Sequence, residues 1–146
     1  MTDPGTQNFG NHARWLPIFH FFALPVTLFY SIFQIVLAIK DPTKATMMYA
    51  VFTFAVACGV LASRIMASAV QDRVIRLEET MRMQRLLPTA MLGDIGKISR
   101  QQFVALRFAS DAELPELVRR TAAGEFPTQK AIKQAIKNWR GDYLRA

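Results

Sequence analysis

Residues 15–39 read WLPIFHFFALPVTLFYSIFQIVLAI, a run of 25 residues without a charged side chain between Arg14 and Lys40. As an α-helix this run would be roughly 37 Å long, which exceeds the ~30 Å hydrocarbon core of a bilayer. A soluble helix of this length normally carries a charged stripe that faces water. The run is also longer than the apolar region of a secretory signal peptide, and no basic segment precedes it. We therefore predict a retained transmembrane helix.

A second uncharged run follows at residues 45–63. Asp41 is expected to cap the new helix, with Pro42 in its first turn. The helical distance from Pro42 to Arg64 is roughly 33 Å, which places Arg64 at the far headgroup layer. The chain is thus predicted to be all-α, with two transmembrane helices, residues 15–39 and 43–64, that form a hairpin.

The rest of the chain is predicted to be a helical cytoplasmic part. The second helix is expected to continue beyond the membrane to about Leu87, because Pro88 disfavours a helical residue before it. The predicted divisions are a flexible N-terminus (1–14), the hairpin (15–66), a helical extension (67–87) and a helical tail (88–146).

Small residues recur at every fourth position of the second span. Such a ridge lets two helix backbones approach closely in lipid. The favoured interpretation is packing against the first span, because a two-helix hairpin packs on itself first. The alternative is a seam for a second copy or a partner subunit. The ridge comprises Ala55, Gly59, Ser63 and Ala67.

The predicted extension carries an apolar repeat with alternating steps of three and four residues. About two and a half heptads are too few for a coiled coil, so packing against the C-terminal helices is favoured. Oppositely charged residues four positions apart are expected to pair on the water-facing side, Asp72 with Arg76 and Glu78 with Arg82. The repeat positions are Ala67, Val70, Val74, Leu77, Met81 and Gln84.

The distribution of Lys and Arg predicts the orientation. Two spans place both termini on one side, and that side carries five basic residues near the membrane, against Lys40 and Lys44 in the hairpin loop. The positive-inside rule then puts both termini in the cytoplasm. The five residues are Arg14, Arg64, Arg73, Arg76 and Arg82.

His20 is the one candidate cofactor ligand. An imidazole among Phe19, Phe21 and Phe22 could ligate a haem or chlorophyll-type macrocycle. It would lie only roughly 8 Å from the membrane surface, where a histidine can also snorkel to the surface or bond a backbone carbonyl, so the ligand role is not favoured and no cofactor is predicted. Gln34, deeper in the span, is expected to form a hydrogen bond between helices.

Enzyme signatures are absent from the sequence. It has no glycine-rich phosphate loop, no G-x-S-x-G and no H-E-x-x-H. The single cysteine, Cys58, and the two histidines do not have zinc-site spacing. Two spans without intramembrane carboxylates are too few for a transporter. These absences favour a non-enzymatic accessory protein, which would act as a small subunit of a membrane complex or as a homo-oligomer.

The last part of the tail is predicted to be a basic amphipathic helix. Its basic face could contact anionic lipid, an acidic protein or nucleic acid, and nucleic acid is least favoured because no binding motif accompanies it. A face that meets only water is as well supported as these three together. The basic face comprises Lys130, Lys133, Lys137 and Arg140, and the apolar face comprises Ile132, Ile136 and Trp139. The helix-start and helix-stop signals of the tail are Ser99-x-x-Gln102, Ser110-x-x-Glu113, Gly124 and Thr128.

Three stretches carry a family resemblance: Asn8-x-x-Asn11-His12-Ala13-Arg14-Trp15-x-Pro17-x-x-His20, Phe103–Val118 and Ile132–Trp139. They resemble a family of small bacterial membrane proteins of unknown function over nearly the whole chain. The resemblance implies a bacterial source, two spans and a cytoplasmic helical tail, and with the predicted orientation it indicates the inner membrane. It implies no activity. It gives Asn11, His12, Arg14 and His20 a shared role, such as contact with the membrane surface or a partner, with Trp15 as the interfacial anchor.

Overall fold

The computed structural model describes residues 7–11 and 15–143, and it contains no β-strand within them. An isolated backbone bridge pairs Ala109 with Trp139. The predicted all-α class is confirmed at this level. The helical segments are a π-helical turn (Ile18–Ala23), α1 (Leu24–Lys40), α2 (Lys44–Leu86), a 3₁₀ segment (Thr89–Lys97), α3 (Arg100–Leu106), α4 (Leu114–Ala122) and α5 (Gln129–Ala135).

The chain divides into two compact units. The apolar unit, Arg14–Ser68, contains the π-helical turn, α1 and the first part of α2. The tail unit combines Ala69–Arg145 with Met1–Ala13 and contains the end of α2 and all later helices. Two helical stretches, Ile18–Lys40 and Lys44–Leu86, are long and apolar enough to cross a membrane by length and composition.

Pro25 determines how the first helix begins. It has no N–H, so it cannot donate to the carbonyl four residues earlier. The six residues Ile18–Ala23 widen into a π-helix, and the Leu24 N–H donates to Phe19 O, five residues back. The backbone disturbance expected at a proline inside a helix therefore takes the form of a π-helical turn.

Thr43, rather than Asp41, caps α2. The Thr46 N–H donates to Thr43 Oγ1 at 3.2 Å, and the Thr43 N–H donates to Thr46 Oγ1 at 3.0 Å. The Thr46 hydroxyl in turn donates to Asp41 O at 2.7 Å. This reciprocal pair satisfies N–H groups that a helix start leaves open. The predicted cap at Asp41 with Pro42 in the first turn is therefore wrong.

The buried positions of the apolar unit lie on one face of each helix. Ser31 and Gln34 are buried on α1, and Ala50 and Thr53 are buried on α2. Each pair is three residues apart, so its members lie on the same face of the helix. Gln34 Nε2 donates to Tyr30 OH at 2.8 Å on its own helix, so the expected hydrogen bond between helices is not the one observed.

The ridge of small residues lies outside this buried face. All four of its positions are exposed, and a Cβ added at Gly59 would meet nothing within 4 Å. The favoured interpretation, in which the ridge packs on the first span, is therefore wrong. Its role as a seam for another chain stays a prediction. The exposed ridge is Ala55, Gly59, Ser63 and Ala67.

The tail unit has a hydrophobic core assembled on the end of α2. Two of its helices begin where local signals predict: Ser99 and Gln102 form a complete capping box, and the Thr128 hydroxyl accepts from the Ala131 N–H. Gly124 follows α4 with a φ of 81°, a left-handed conformation that glycine adopts without strain. The fully buried core side chains are Met83, Phe103, Leu106, Phe108, Leu114, Val118 and Ile132.

Glu113 does not form the predicted capping box with Ser110. Its carboxylate instead accepts from the backbone N–H groups of Lys137 and Asn138, at 3.1–3.2 Å, and from Asn138 Nδ2 at 3.0 Å. Glu113 thereby links the start of α4 to the segment that follows α5.

The last helix is shorter than predicted, because residues after Ala135 pair with another part of the backbone. Ile136 is extended, with a ψ of 123°. The Ser110 N–H donates to Asn138 O at 3.1 Å, and the Arg140 N–H donates to Phe108 O at 2.7 Å. These bonds, with those to Glu113, replace the helical hydrogen bonds of residues 136–140.

Candidate functional site

The tail unit covers one face of α2, which we call the inner face. It comprises Ile75, Glu79, Arg82 and Met83, all of them buried. Two of these four side chains are charged, and buried charges are tolerated only when they are paired and hydrogen-bonded. Glu79 and Arg82 on the inner face therefore each need a paired and hydrogen-bonded partner.

Arg82 satisfies this requirement with four hydrogen bonds. Nη1 donates to Glu79 Oε2 at 2.9 Å, and Nη2 donates to Ala109 O at 2.7 Å. Nε and Nη2 both donate to Asp111 Oδ1, at 2.8 and 2.5 Å. The planar, multi-donor guanidinium group suits this arrangement. Arg82 thus joins α2 to the loop between α3 and α4.

The hydrogen bond from Arg82 lowers the pKa of the Asp111 carboxyl group below its ordinary value of 3.8. Burial acts in the opposite direction, and the positive charges of Arg82, Arg140 and Arg85 add to the lowering. Asp111 is therefore fully ionised near neutral pH and is available as an acceptor for Arg82.

A cavity of about 600 Å³ lies beside this network within the tail unit. Its charged groups largely pair with each other: Arg107 Nε lies 3.1 Å from Asp142 Oδ2, and Arg140 Nη1 lies 3.5 Å from Glu79 Oε1. Neither a histidine nor a cysteine is among the described residues that line it. The carboxylates of Glu79 and Asp142 are held in these ion pairs, and the arrangement by itself assigns no chemistry to the cavity.

The opposite face of α2 is apolar and exposed, and we call it the outer stripe. Its members in the tail unit are Val70, Val74, Leu77, Met81 and Gln84, and the four apolar ones are 47–61% exposed. This stripe is the repeat that was expected to pack against the C-terminal helices. That expectation is wrong, because those helices pack on the inner face instead.

The predicted pairs along α2 are replaced by contacts with the tail. Asp72 Oδ2 lies 3.8 Å from Arg100 Nε, and Arg76 lies over the Phe103 ring at 5.9 Å. Arg82 binds Glu79 and Asp111 rather than Glu78. Neither of the two predicted pairs along α2 is therefore formed. Two exposed residues beside the outer stripe, Arg73 and Glu78, have no ion pair within residues 7–11 and 15–143.

His20 lies in the π-helical turn and is half-buried. Its Nδ1 lies 3.0 Å from Leu16 O and 3.1 Å from Leu16 N, and its ring meets the Trp15 ring edge-on at 4.9 Å. The predicted contact with a backbone carbonyl is thus present at Nδ1, and the role of His20 as a macrocycle ligand stays a prediction. The described residues contain no group of three or more His, Cys, Asp or Glu that could hold a metal ion.

The predicted basic face does not form, because two of its four members lie beyond the end of α5. Lys130 is exposed, whereas the Lys133 ammonium lies 5.5 Å from the Phe108 ring centroid. Lys137 lies in the segment bound by Glu113, and Arg140 approaches Glu79. The predicted apolar residues Ile136 and Trp139 still pack on the core, but from an extended backbone.

The predicted surface residues of the N-terminus are only partly described. Asn11 belongs to a turn in which its Oδ1 accepts from the Asn8 N–H at 2.6 Å, and Trp15 is exposed. His12 and Arg14 lie outside the described residues.

The family profile of DUF6526, a family of unknown function, matches residues 1–146. The chain belongs to the DUF6526 family. No curated protein and no solved structure matches it. Membership of DUF6526 confirms that the chain belongs to a family of unknown function over its whole length, and it assigns no activity to Arg82, His20 or the outer stripe.

Sequence reasoning missed the inner face of α2. Ile75, Glu79 and Met83 recur every four residues, which is a helix-face pattern, but the charge of Glu79 disguises it. The spacing of Glu79 and Arg82, three residues apart, was the one signal that could have indicated a buried pair.

Proposed function

We propose that this DUF6526 protein is a non-enzymatic interaction protein of the bacterial inner membrane, a two-span hairpin with both termini in the cytoplasm. Membrane insertion is supported by the exposure of the apolar helices, since only 11% of the most apolar window of each is buried. A core helix of a soluble protein would be mostly buried, and soluble monomers rarely expose large apolar patches. The excess of Lys and Arg outside the hairpin loop favours cytoplasmic termini.

The interaction role rests on the outer stripe. Val70, Val74 and Leu77 are exposed on a helix whose other side already holds the folded tail. Contiguous exposed apolar residues bordered by charged ones are typical of a protein contact surface. The protein would then act as a small accessory subunit that presents a rigid helical surface next to the membrane.

Membrane insertion and orientation can be tested with cysteine labelling of intact spheroplasts. Cys58→Ser provides the background, and Lys44→Cys in the hairpin loop and Glu125→Cys in the tail are compared with a membrane-impermeant maleimide. We expect labelling of the loop cysteine only, with the tail cysteine labelled after lysis. Labelling of the tail cysteine alone would indicate the opposite orientation. Release of the protein by alkaline carbonate would contradict membrane insertion.

The interaction role can be tested by gentle affinity purification from native membranes, with mass spectrometry and an absorption spectrum of the eluate. We expect a stoichiometric protein component, either another subunit or a second copy of the chain, that is lost when Leu77 is changed to Glu. A lone monomer would contradict the proposal. A visible absorption band that disappears in His20→Ala would favour a cofactor-binding subunit instead.

A further inference from the structure

We infer that the outer stripe is occupied by a second copy of this chain, and that the two α2 helices pack in parallel along it. The inference deepens the proposed function and depends on its membrane insertion. The argument concerns Val70–Gln84, all of which lie in the tail unit.

Within residues 7–11 and 15–143, the chain's own tail leaves the outer stripe exposed, and lipid does not suit it either. The core of the tail unit assembles on the inner face, through Met83 and Leu87. Lipid is excluded because charged residues follow one another closely along this part of α2, whereas the uncharged window of the helix ends before Arg64. The stripe is therefore an apolar surface in an aqueous environment, which favours a protein occupant.

The spacing of the stripe suits a second helix of the same kind. Steps of three and four residues place Val74 at position a and Leu77 at position d of a heptad. In this heptad the β-branched residue at a and the leucine at d form the combination that favours two-stranded parallel coiled coils, and the flanking stripe positions are Val70 and Gln84 at d and Met81 at a. A repeat of this type is complementary to itself, so a second copy needs no other sequence.

Charge complementarity selects the same arrangement. With Val74 at position a, Arg73 occupies position g and Glu78 occupies the next position e. In a parallel pair, g of one helix faces e of the other five residues later, so Arg73 meets Glu78 of the second copy. Both residues are exposed, and neither forms an ion pair within the described part of its own chain.

Membrane insertion supplies the parallel orientation and offsets the short length of the repeat. Two copies in one bilayer with the same topology send their α2 helices into the cytoplasm in the same direction. About two heptads would not hold a coiled coil together in dilute solution. Confinement to one membrane raises the effective concentration of the second helix, as a linker does for tethered modules.

The test uses disulfide cross-linking of the full-length chain in native membranes, in a Cys58→Ser background. Val70→Cys places the thiol at a d position on the stripe, and Ala69→Cys places it one residue away, at an exposed position off the stripe. Both sites are exposed, so neither substitution removes a core contact. We expect several-fold more covalent dimer from Val70→Cys than from Ala69→Cys under mild oxidation.

A charge exchange then tests the register. In the Val70→Cys background, Arg73→Glu alone and Glu78→Arg alone place like charges opposite each other and should reduce the covalent dimer a few-fold. The double variant restores opposite charges and should recover the dimer. Failure of the double variant to recover it would overturn the proposed register.

Equal cross-linking of Val70→Cys and Ala69→Cys, with the chain still resistant to carbonate extraction, would overturn the dimer and leave the proposed membrane function standing. An adduct with a different protein at Val70→Cys would also overturn the dimer. Release of the chain by carbonate would mark failure of the proposed function itself.

Discussion

The two faces of α2 in the tail unit differ from those of an ordinary surface helix. The inner face buries Glu79 and Arg82, whereas the outer stripe exposes Val74 and Leu77. A helix of a soluble protein normally buries its apolar stripe and leaves its charges in water. The inner face is joined to the chain's own tail by directional hydrogen bonds, whereas the outer stripe is the surface that we propose for a second copy.

The largest loss of stability in the tail unit is expected from Arg82→Met, on the inner face. The change leaves the Glu79 carboxylate buried without its main partner, and loss of one member of a buried pair costs about 3–5 kcal/mol. Hydrogen exchange of α3 to α5, followed by mass spectrometry, should show a matching loss of protection. Arg85→Met, which removes an exposed arginine one turn away, is the control and should change protection little.

Restoring charge balance should recover part of that loss. The double variant Glu79→Gln with Arg82→Met removes the stranded charge, so it should be more stable than Arg82→Met alone. If both variants lose protection equally, burial of Glu79 is not the cause.

Substitutions of two methionines in α2, one on each face, allow a direct comparison of the two faces. Met83 is 0% exposed and Met81 is 55% exposed. Met83→Ala should lower the free energy of unfolding of the tail by about 2–5 kcal/mol, because it opens a cavity in the core. Met81→Ala should lower it by less than about 0.5 kcal/mol. Limited proteolysis in increasing urea provides the measurement, and similar losses at both sites would contradict the assignment of faces.

The segment after α5 should depend on Glu113. Glu113→Ala removes the acceptor for two backbone N–H groups, and we expect a loss of about 1 kcal/mol, since the site is partly open to water. Glu116→Ala removes an exposed partner of Arg119 instead and should have almost no effect. Hydrogen exchange at Lys137 and Asn138 distinguishes the two variants.

The smallest expected effect is a dependence on pH through Asp111. Because Arg82 lowers the pKa of Asp111 in the folded state, the ionised carboxylate contributes stability that is fully present above the ordinary value of 3.8 and is lost as the pH falls through the lowered pKa. Protection of the loop between α3 and α4 should therefore decrease at acidic pH. Asp111→Asn should remove this part of the pH dependence; an unchanged profile would assign it to another group.

The features that could be predicted from the sequence are those set by neighbouring residues. The capping box at Ser99, the stop at Gly124 and the end of α2 before Pro88 depend on local hydrogen bonds and on proline geometry, so the pattern alone identifies them. The composition of two long uncharged runs likewise predicts helices apolar enough for a membrane.

Contacts between distant parts of the chain account for the errors in the tail unit. Ile136 and Arg140 continue a helical pattern, but Phe108 and Glu113 offer hydrogen bonds that only the folded tail brings near. Glu79 and Arg82 resemble a water-facing pair until Asp111 and the Ala109 carbonyl are placed beside them. The prediction for the heptad repeat failed for the same reason. The sequence shows that its residues are apolar, but it does not show whether the folded tail covers them.

The contact between the two ends of the chain also constrains the number of membrane crossings. Gln7 Oε1 accepts from the Asp142 N–H at 2.9 Å, and Gln7 Nε2 donates to Asp142 O at 3.3 Å. One residue precedes the first apolar helix and the other follows the second, so the chain between them must cross any bilayer an even number of times. If α1 spans the membrane, α2 must span it as well. If the protein is inserted in a bilayer as proposed, this hydrogen-bonded pair therefore requires an even number of crossings.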